Sequence, residues 1–201
     1  MLLSILIPSV FDRNALPLCQ KLLKQIGDEP VEILVFTDNR KRPLGPKRNV
    51  LMSAARGQFL THIDDDDDVS DDYIASVLGA IREHTESDVI VFNQQCLLLG
   101  YGFGENPYVV RTGIEFNNED SRMVAGKRMD IHRKPWHWCV WSSILAKSAQ
   151  FPELTMGEDW MWLKQIIPKV QVQHRIDKVL HFYRYDNAKS LSPANPELLK
   201  K

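Results

Sequence analysis

Four apolar runs recur at intervals of about thirty residues in the first half of the chain: "LLSILI" (2–7), "VEILVF" (31–36), "QFLTHI" (58–63) and "SDVIVF" (87–92). Each is too short to cross a bilayer, and the first, apolar except for Ser4, is consistent with a strand covered on both faces. Between them lie stretches with helical spacing. In "NALPLCQKLLKQIG" residues Leu16, Cys19, Leu22, Leu23 and Ile26 share a face, with Asn14 at the N-cap and Gly27 at the stop. A short helix is expected from about Lys47 to Arg56, and another over "DDYIASVLGAIREH", opening near Asp71. Strand and helix in alternation specify βαβ units with right-handed crossovers. The expected fold class is therefore α/β, a Rossmann-like, mostly parallel central sheet flanked by helices.

Such sheets bind ligands outside the carboxyl ends of their strands. Pro8 and Ser9 end the first run, Asp38 follows the second, and the third runs into "DDDDD", Asp64–Asp68. Asp71 and Asp72 read as ordinary acids at a helix start, favourable by about 0.3–1 kcal/mol. Asp64–Asp67 are different, because adjacent carboxylates at a buried strand end repel one another unless a cation joins them. Oxygen ligands favour Mg²⁺, Mn²⁺ or Ca²⁺ over softer metals. A calcium loop starting at Asp64 fails on spacing: Val69 stands where glycine is needed, and Ala75 where glutamate is needed. Magnesium or manganese held by one or two carboxylates together with substrate phosphates fits better.

Residues 64–72 carry seven of the 26 acidic side chains, leaving a mildly basic body of 25 Lys and Arg against 19 acids. That arrangement suits an anionic ligand. Cys19, Cys96 and Cys139 lack zinc spacing and do not form a disulfide framework, which points to a reducing compartment. "MLLSILIPSV" lacks the basic start and length of a signal peptide. The expectation is a soluble, cytoplasmic protein.

The acidic motif does not stand alone. "SILIPSV", "VEILVFTDN", "GPKRNVLMSAARGQFLTHIDDDDDVSDDYI" and "GEDWMWL" resemble, in order, the successive blocks of GT-A fold glycosyltransferases of family 2, and span residues 4 to about 165. The resemblance implies a single GT-A domain over 1–201, with a nucleotide-binding half at 1–93 and an acceptor-side half at 94–201. It implies Pro8, Ser9, Asp38 and Arg48 at the nucleotide, and Asp64 and Asp65 near ribose and diphosphate. It also implies Asp66, with Asp64, on a Mn²⁺ or Mg²⁺ ion; five consecutive aspartates leave the Asp-x-Asp register open by one position. Asp159 matches the general base and Glu158 its neighbour. The implied reaction is inverting transfer of one sugar from a nucleotide sugar, most commonly a UDP-sugar, to an acceptor hydroxyl. His181 lies where some relatives place a histidine near the metal. The Gln-x-x-Arg-Trp signature of processive synthases is missing after the base motif, where "WLKQIIPKV" stands, so single-residue transfer is expected.

Two other classes compete. A sugar nucleotidyltransferase shares the nucleotide-binding half but needs a glycine-rich basic loop that "IPSVFDRNAL" lacks. A binding module with a decayed site is opposed by the intact Asp64, Asp66 and Asp159. Acceptors open to the family are a glycan, a lipid-linked sugar, a protein or a modified nucleic acid base. The basic segment Arg122–Lys134 permits nucleic acid but reads more simply as a solvated surface. Residues 94–135 are expected to form an irregular insertion, with "GYGFGE" as a flexible loop. Two closing strands are expected over "KVQVQH" and "KVLHFYRYD", and at least one of the five tryptophans is expected in the acceptor pocket.

Overall fold

The computed structural model describes residues 1–99, 106–117, 122–124 and 127–186, with backbone alone for 122–124, 127–130 and 186. The first three apolar runs form β1 (Leu3–Val10), β2 (Val31–Asp38) and β3 (Phe59–His62), with β1 parallel to both others. All eight β1 residues are buried, and each leucine or isoleucine removed from water there contributes about 1.5–3 kcal/mol. Ser4, the polar break in this strand, is satisfied by design of the fold: its Oγ donates to Glu32 Oε1 at 2.7 Å and accepts the Gly57 N–H at 2.8 Å. The crossovers are α1 (Leu16–Ile26) and α2 (Leu44–Ala54). After β3 come the short β4 (Asp68–Val69), α3 (Tyr73–Glu83) and the long β5 (Val89–Leu99).

The second half departs from the sequence expectation. Much of 94–135 is sheet rather than irregular: β5 runs on to Leu99, followed by β6 (Tyr108–Thr112), β7 (Arg122–Val124) and β8 (Lys127–Arg133). Short strands with mixed polar and turn residues carry little periodicity, so the pairing of β5 with β6 and of β6 with β8 decides their conformation. Then come β9 (Val140–Ser142), α4 (Ser143–Ala146) and α5 (Glu158–Ile166). The two closing strands are one, β10 (Gln173–Asp186), which follows β5 in parallel with register shifts between Ile176 and His181. The expected loop at 100–105 lies outside the described residues, as do the side chains of Arg122, Lys127 and Arg128.

The sheet order is β2-β1-β3-β9-β5-β6-β8-β7, with β10 on the free edge of β5. β9 is antiparallel to both β3 and β5 and fills the gap between the two parallel sets. Trp141 on β9 and Trp162 on α5 are fully buried and meet edge to face at 5.5 Å, so these two tryptophans are core. Among the described residues, no helix is long and apolar enough to cross a membrane.

Two of the boundaries shape the site. α2 begins at Leu44 rather than Lys47, and Gly45 is what permits it: its N–H donates to Leu154 O at 2.9 Å, and a Cβ there would fall 1.9 Å from Pro152 O. The start of α2 therefore lies flush against the segment leading into α5. α3 begins at Tyr73; Asp72 bonds Ser70, Ser76 and Lys178 rather than capping backbone N–H groups.

Candidate active site

The carboxyl ends of β1, β2 and β3 open into two adjoining pockets. The smaller, about 410 Å³, is walled by Pro8, Ser9, Arg13, Lys47, Asp65 and Asp66 with neighbouring residues. The larger, about 520 Å³, is walled by Arg48, Asp67, Trp136, His137, Glu158 and Asp159 among others. Leu44, Asp64, Thr155 and Tyr183 belong to both walls. Asp64 thus stands at the junction.

In the smaller pocket the turn after β1 meets the aspartate run. Ser9 Oγ donates to Asp65 Oδ2 at 2.7 Å, and Arg13 Nη1 donates to Asp65 Oδ1 at 2.8 Å. Lys47, buried despite its charge, pairs with Asp38 and donates to Ser9 O at 3.2 Å. Asp38 also accepts the Arg40 and Arg42 N–H groups, each at 3.1 Å. Its oxygens brace the 38–42 turn behind the pocket, while Arg40 and Arg42 form the wall itself.

The larger pocket is organised by a buried arginine and a buried histidine. Arg48 is 1 % exposed; its Nη2 donates to Asp64 Oδ1 at 2.8 Å and its Nε to Glu158 Oε1 at 3.2 Å. His137 bridges the other way, with Nε2 at 3.7 Å from Asp64 and Nδ1 at 3.4 Å from Asp159. Asp159 sits in the first turn of α5, which Gly157 starts from a left-handed backbone at φ 76°. Burial alone would raise the Asp159 carboxyl, but the neighbouring His137 and Arg48 bring it down to about 2. Asp64 is likewise held far below the carboxylate range, since Arg48 and His137 outweigh its desolvation. His137 is pushed up by its two carboxylates despite burial and the nearby Arg48. Glu158 goes the other way: burial raises it, Asp159 adds to that, and Arg48 only partly offsets them. The two neighbouring carboxyls are thus pushed in opposite directions, Asp159 down and Glu158 up.

Farther along the run the charge is left unbalanced. Asp66 is raised to about 6, first by burial and then by Asp67 beside it. Asp67 is 8 % exposed and raised by burial in spite of His181. Its Oδ2 lies 3.1 Å from His181 Nε2, and its Oδ1 has no hydrogen-bond partner among the described residues. His181 is fully buried, stacked on Trp138 at 5.1 Å, with Gln94 Nε2 3.0 Å from its Nδ1. Among the described residues, no three His, Cys, Asp or Glu side chains already converge on one point. The donors nevertheless fit a hard divalent ion: carboxylate oxygens carrying uncompensated charge, one buried oxygen of them without a partner.

The residues expected from sequence at the first and third strand ends and at "GED" are brought to one crevice, and Asp38 to its rim. Arg48 is neither a surface residue nor a wall of the smaller pocket. Trp136 and Trp138 reach the larger pocket, whereas Trp160 stacks on Trp136 at 5.9 Å. Sequence reasoning missed His137 and Arg13. His137 was hidden in the aromatic stretch "PWHWCVW", which reads as core. Arg13 had a signal that could have been used, its place in the turn directly after the first strand.

A parallel-stranded α/β sheet whose strand ends carry an aspartate-lined pocket, opening onto a second pocket with a buried acidic pair, defines the GT-A class of glycosyltransferase. The glycosyl transferase family 2 model matches residues 9–137, and the chain belongs to that family. Among solved structures it is similar to S. aureus TarS 1-349 in complex with UDP-GlcNAc, at 15% identity and TM-score 0.62, covering 96% of this chain and 62% of that one. TarS 1-349 in complex with UDP matches at 16% identity and TM-score 0.59, covering 93% and 61%. A197 from STIV matches at 16% identity and TM-score 0.53, covering 96% and 91%. The chain thus spans under two thirds of those TarS chains and nearly all of A197. No curated protein sequence matches it.

Proposed function

We propose that the protein transfers one sugar, with inversion, from a nucleoside-diphosphate sugar, a UDP-sugar first among candidates, to an acceptor hydroxyl. The observation that carries this reading is the chain Asp64–His137–Asp159, which links the wall shared by both pockets to an ionised carboxylate in the second. The nucleotide-sugar complexes of TarS support the donor class.

In this reading the smaller pocket takes the nucleotide against Pro8, Ser9 and the Arg40–Arg42 turn, with Asp38 shaping that turn and Lys47 tying it to β1. Asp65, fixed by Ser9, faces the ribose and diphosphate. Asp66 would be the primary ligand of a Mn²⁺ or Mg²⁺ ion. For the second ligand, Asp67, with a spare buried oxygen, suits the role better than Asp64, whose oxygens are engaged by Arg48 and His137. Such an ion supplies Lewis-acid stabilisation of the charge that develops on the departing diphosphate.

The acceptor enters the larger pocket. Asp159 takes the proton from its hydroxyl as the oxygen attacks the anomeric carbon, a general-base contribution of about 10²–10⁴-fold. His137 holds the Asp159 carboxylate in its ionised form and fixes its orientation. Glu158 and Arg48 neutralise each other beneath it and keep Asp64 in place. A base in one pocket and a leaving group in the other lie on opposite sides of the reacting carbon, which gives single displacement.

The test is a screen of UDP-, GDP- and dTDP-sugars for transfer or for hydrolysis with water as acceptor, with Mn²⁺ and with EDTA. The expected result is turnover of at least one donor that EDTA abolishes, and that Asp159→Asn loses while still binding the nucleotide. Undiminished turnover by Asp159→Asn refutes the assignment of the base.

A further inference from the structure

The exposed edge of the aspartate run already holds a cation of its own. A single nitrogen, Arg13 Nη1, lies 2.8 Å from Asp65 Oδ1 and 2.9 Å from Asp66 Oδ2. Among the described residues, Arg13 is the ion-pair partner that Asp66 has. The Asp66 side chain is half exposed in the smaller pocket and the Arg13 side chain is about a quarter exposed, so neither is locked in place by packing. Next to them the buried Asp67 Oδ1 remains without a hydrogen-bond partner, so Arg13 does not complete the corner's compensation.

We infer that Arg13 is a resident counter-ion that exchanges partners during donor binding: it clamps Asp65 and Asp66 in the empty pocket and turns to the donor diphosphate when a divalent ion takes Asp66. This rests on the nucleotide-and-metal reading above. The physical reason is competition. A guanidinium N–H between two carboxylate oxygens stands where a metal approaching Asp66 must come, and the two cations repel. A metal alone must therefore displace Arg13 into solvent. A metal arriving with a diphosphate does not, because the phosphate oxygens give the guanidinium a new forked partner. Arg13 thereby makes nucleotide and metal each favour the other's binding, and the coupling is reciprocal. The turn bearing Arg13 is short, with the Arg13 N–H donating to Val10 O at 3.0 Å, so a side-chain rotation suffices and no backbone rearrangement is required.

The experiment is a titration of Mn²⁺, free ion read by electron paramagnetic resonance, against wild type, Arg13→Gln, Arg13→Lys and Asp66→Asn, each with and without saturating UDP, with circular dichroism confirming the fold. Without UDP, Arg13→Gln binds Mn²⁺ about fivefold more tightly than wild type, the scale expected for freeing a partly exposed ion pair. With UDP that advantage disappears, so the UDP-induced gain in Mn²⁺ affinity is about fivefold smaller than in wild type. Arg13→Lys, which keeps the charge and loses the fork, falls between, and Asp66→Asn binds Mn²⁺ weakly throughout. Equal or weaker Mn²⁺ binding by Arg13→Gln without UDP overturns the inference while leaving the metal reading intact. Absence of Mn²⁺ binding to wild type, with and without UDP, overturns both.

Discussion

Removing Arg48 exposes what holds the crevice together. Its guanidinium is 1 % exposed and lies between Asp64 at 2.8 Å and Glu158 at 3.2 Å, and Glu158 itself is 3 % exposed. Arg48→Met keeps the volume and the apolar contact with Phe151, whose ring lies 5.8 Å from the guanidinium carbon. It leaves two acids without their main counter-ion. Breaking a buried pair in this way costs about 3–5 kcal/mol. In a domain of this size each kcal/mol moves the midpoint about 2–4 °C, so the melting temperature should fall by roughly 10 °C. Thermal melts read by circular dichroism at pH 7.5 measure this. The second arm is Arg48→Met combined with Glu158→Gln, which removes one stranded charge and should recover part of the loss. The penalty should also shrink towards pH 5. Without Arg48 the Glu158 carboxyl, already raised by burial and Asp159, loses the charge that partly offsets them, so the folded state holds its proton and stability drops as pH rises. A loss under about 1 kcal/mol, or a double variant no more stable than the single one, refutes the electrostatic account of this cluster.

Asp66→Asn should stabilise the protein in EDTA at pH 8. Ionisation of a carboxyl raised from 3.8 to about 6 erodes stability as pH climbs through that window, and after discounting for its half-exposed position the gain is about 1 kcal/mol, or 2–4 °C; melts at pH 5 and 8 check it, the gain being small at the lower pH. His137→Gln should move the acid limb of the donor-hydrolysis pH profile upward, because Asp159 loses the group that brings it down to about 2; an acid limb unchanged by the substitution counts against the bridge. In wild type the stability contributed by ionised Asp159 is present above its unfolded pKa and is lost only as pH falls through about 2, so Asp159→Asn should leave the acid-unfolding curve above pH 4 unchanged in shape.

The first half of the fold was legible because β1, β2 and β3 are apolar runs whose neighbours are helices with one greasy face. Ser4 is a polar residue in such a run, and its purpose becomes visible only with Glu32 and Gly57 placed around it. β9 was not legible: three residues cannot show a period, and "WCVWS" is shaped by burial between β3 and β5. β6 to β8 were not legible because their conformation comes from pairing with distant segments. The same division holds for the site. Asp64–Asp66, Glu158 and Asp159 announced themselves as acids at strand and helix ends, where a local pattern suffices. His137 joins the site through residues 73 positions before it and 22 after it, which no window along the chain contains. Arg48 was expected at the nucleotide, but spacing places a residue on a helix without saying that a pair of acids will face it.

The most direct test of the central claim is a crystal structure with Mn²⁺ and a UDP-sugar, using anomalous scattering to locate the metal. A peak touching Asp66 and the diphosphate, with the sugar carbon facing Asp159 across the junction at Asp64, is the predicted result. Nucleotide bound with its phosphates away from the aspartate run, or manganese bound without contact to Asp66, contradicts it.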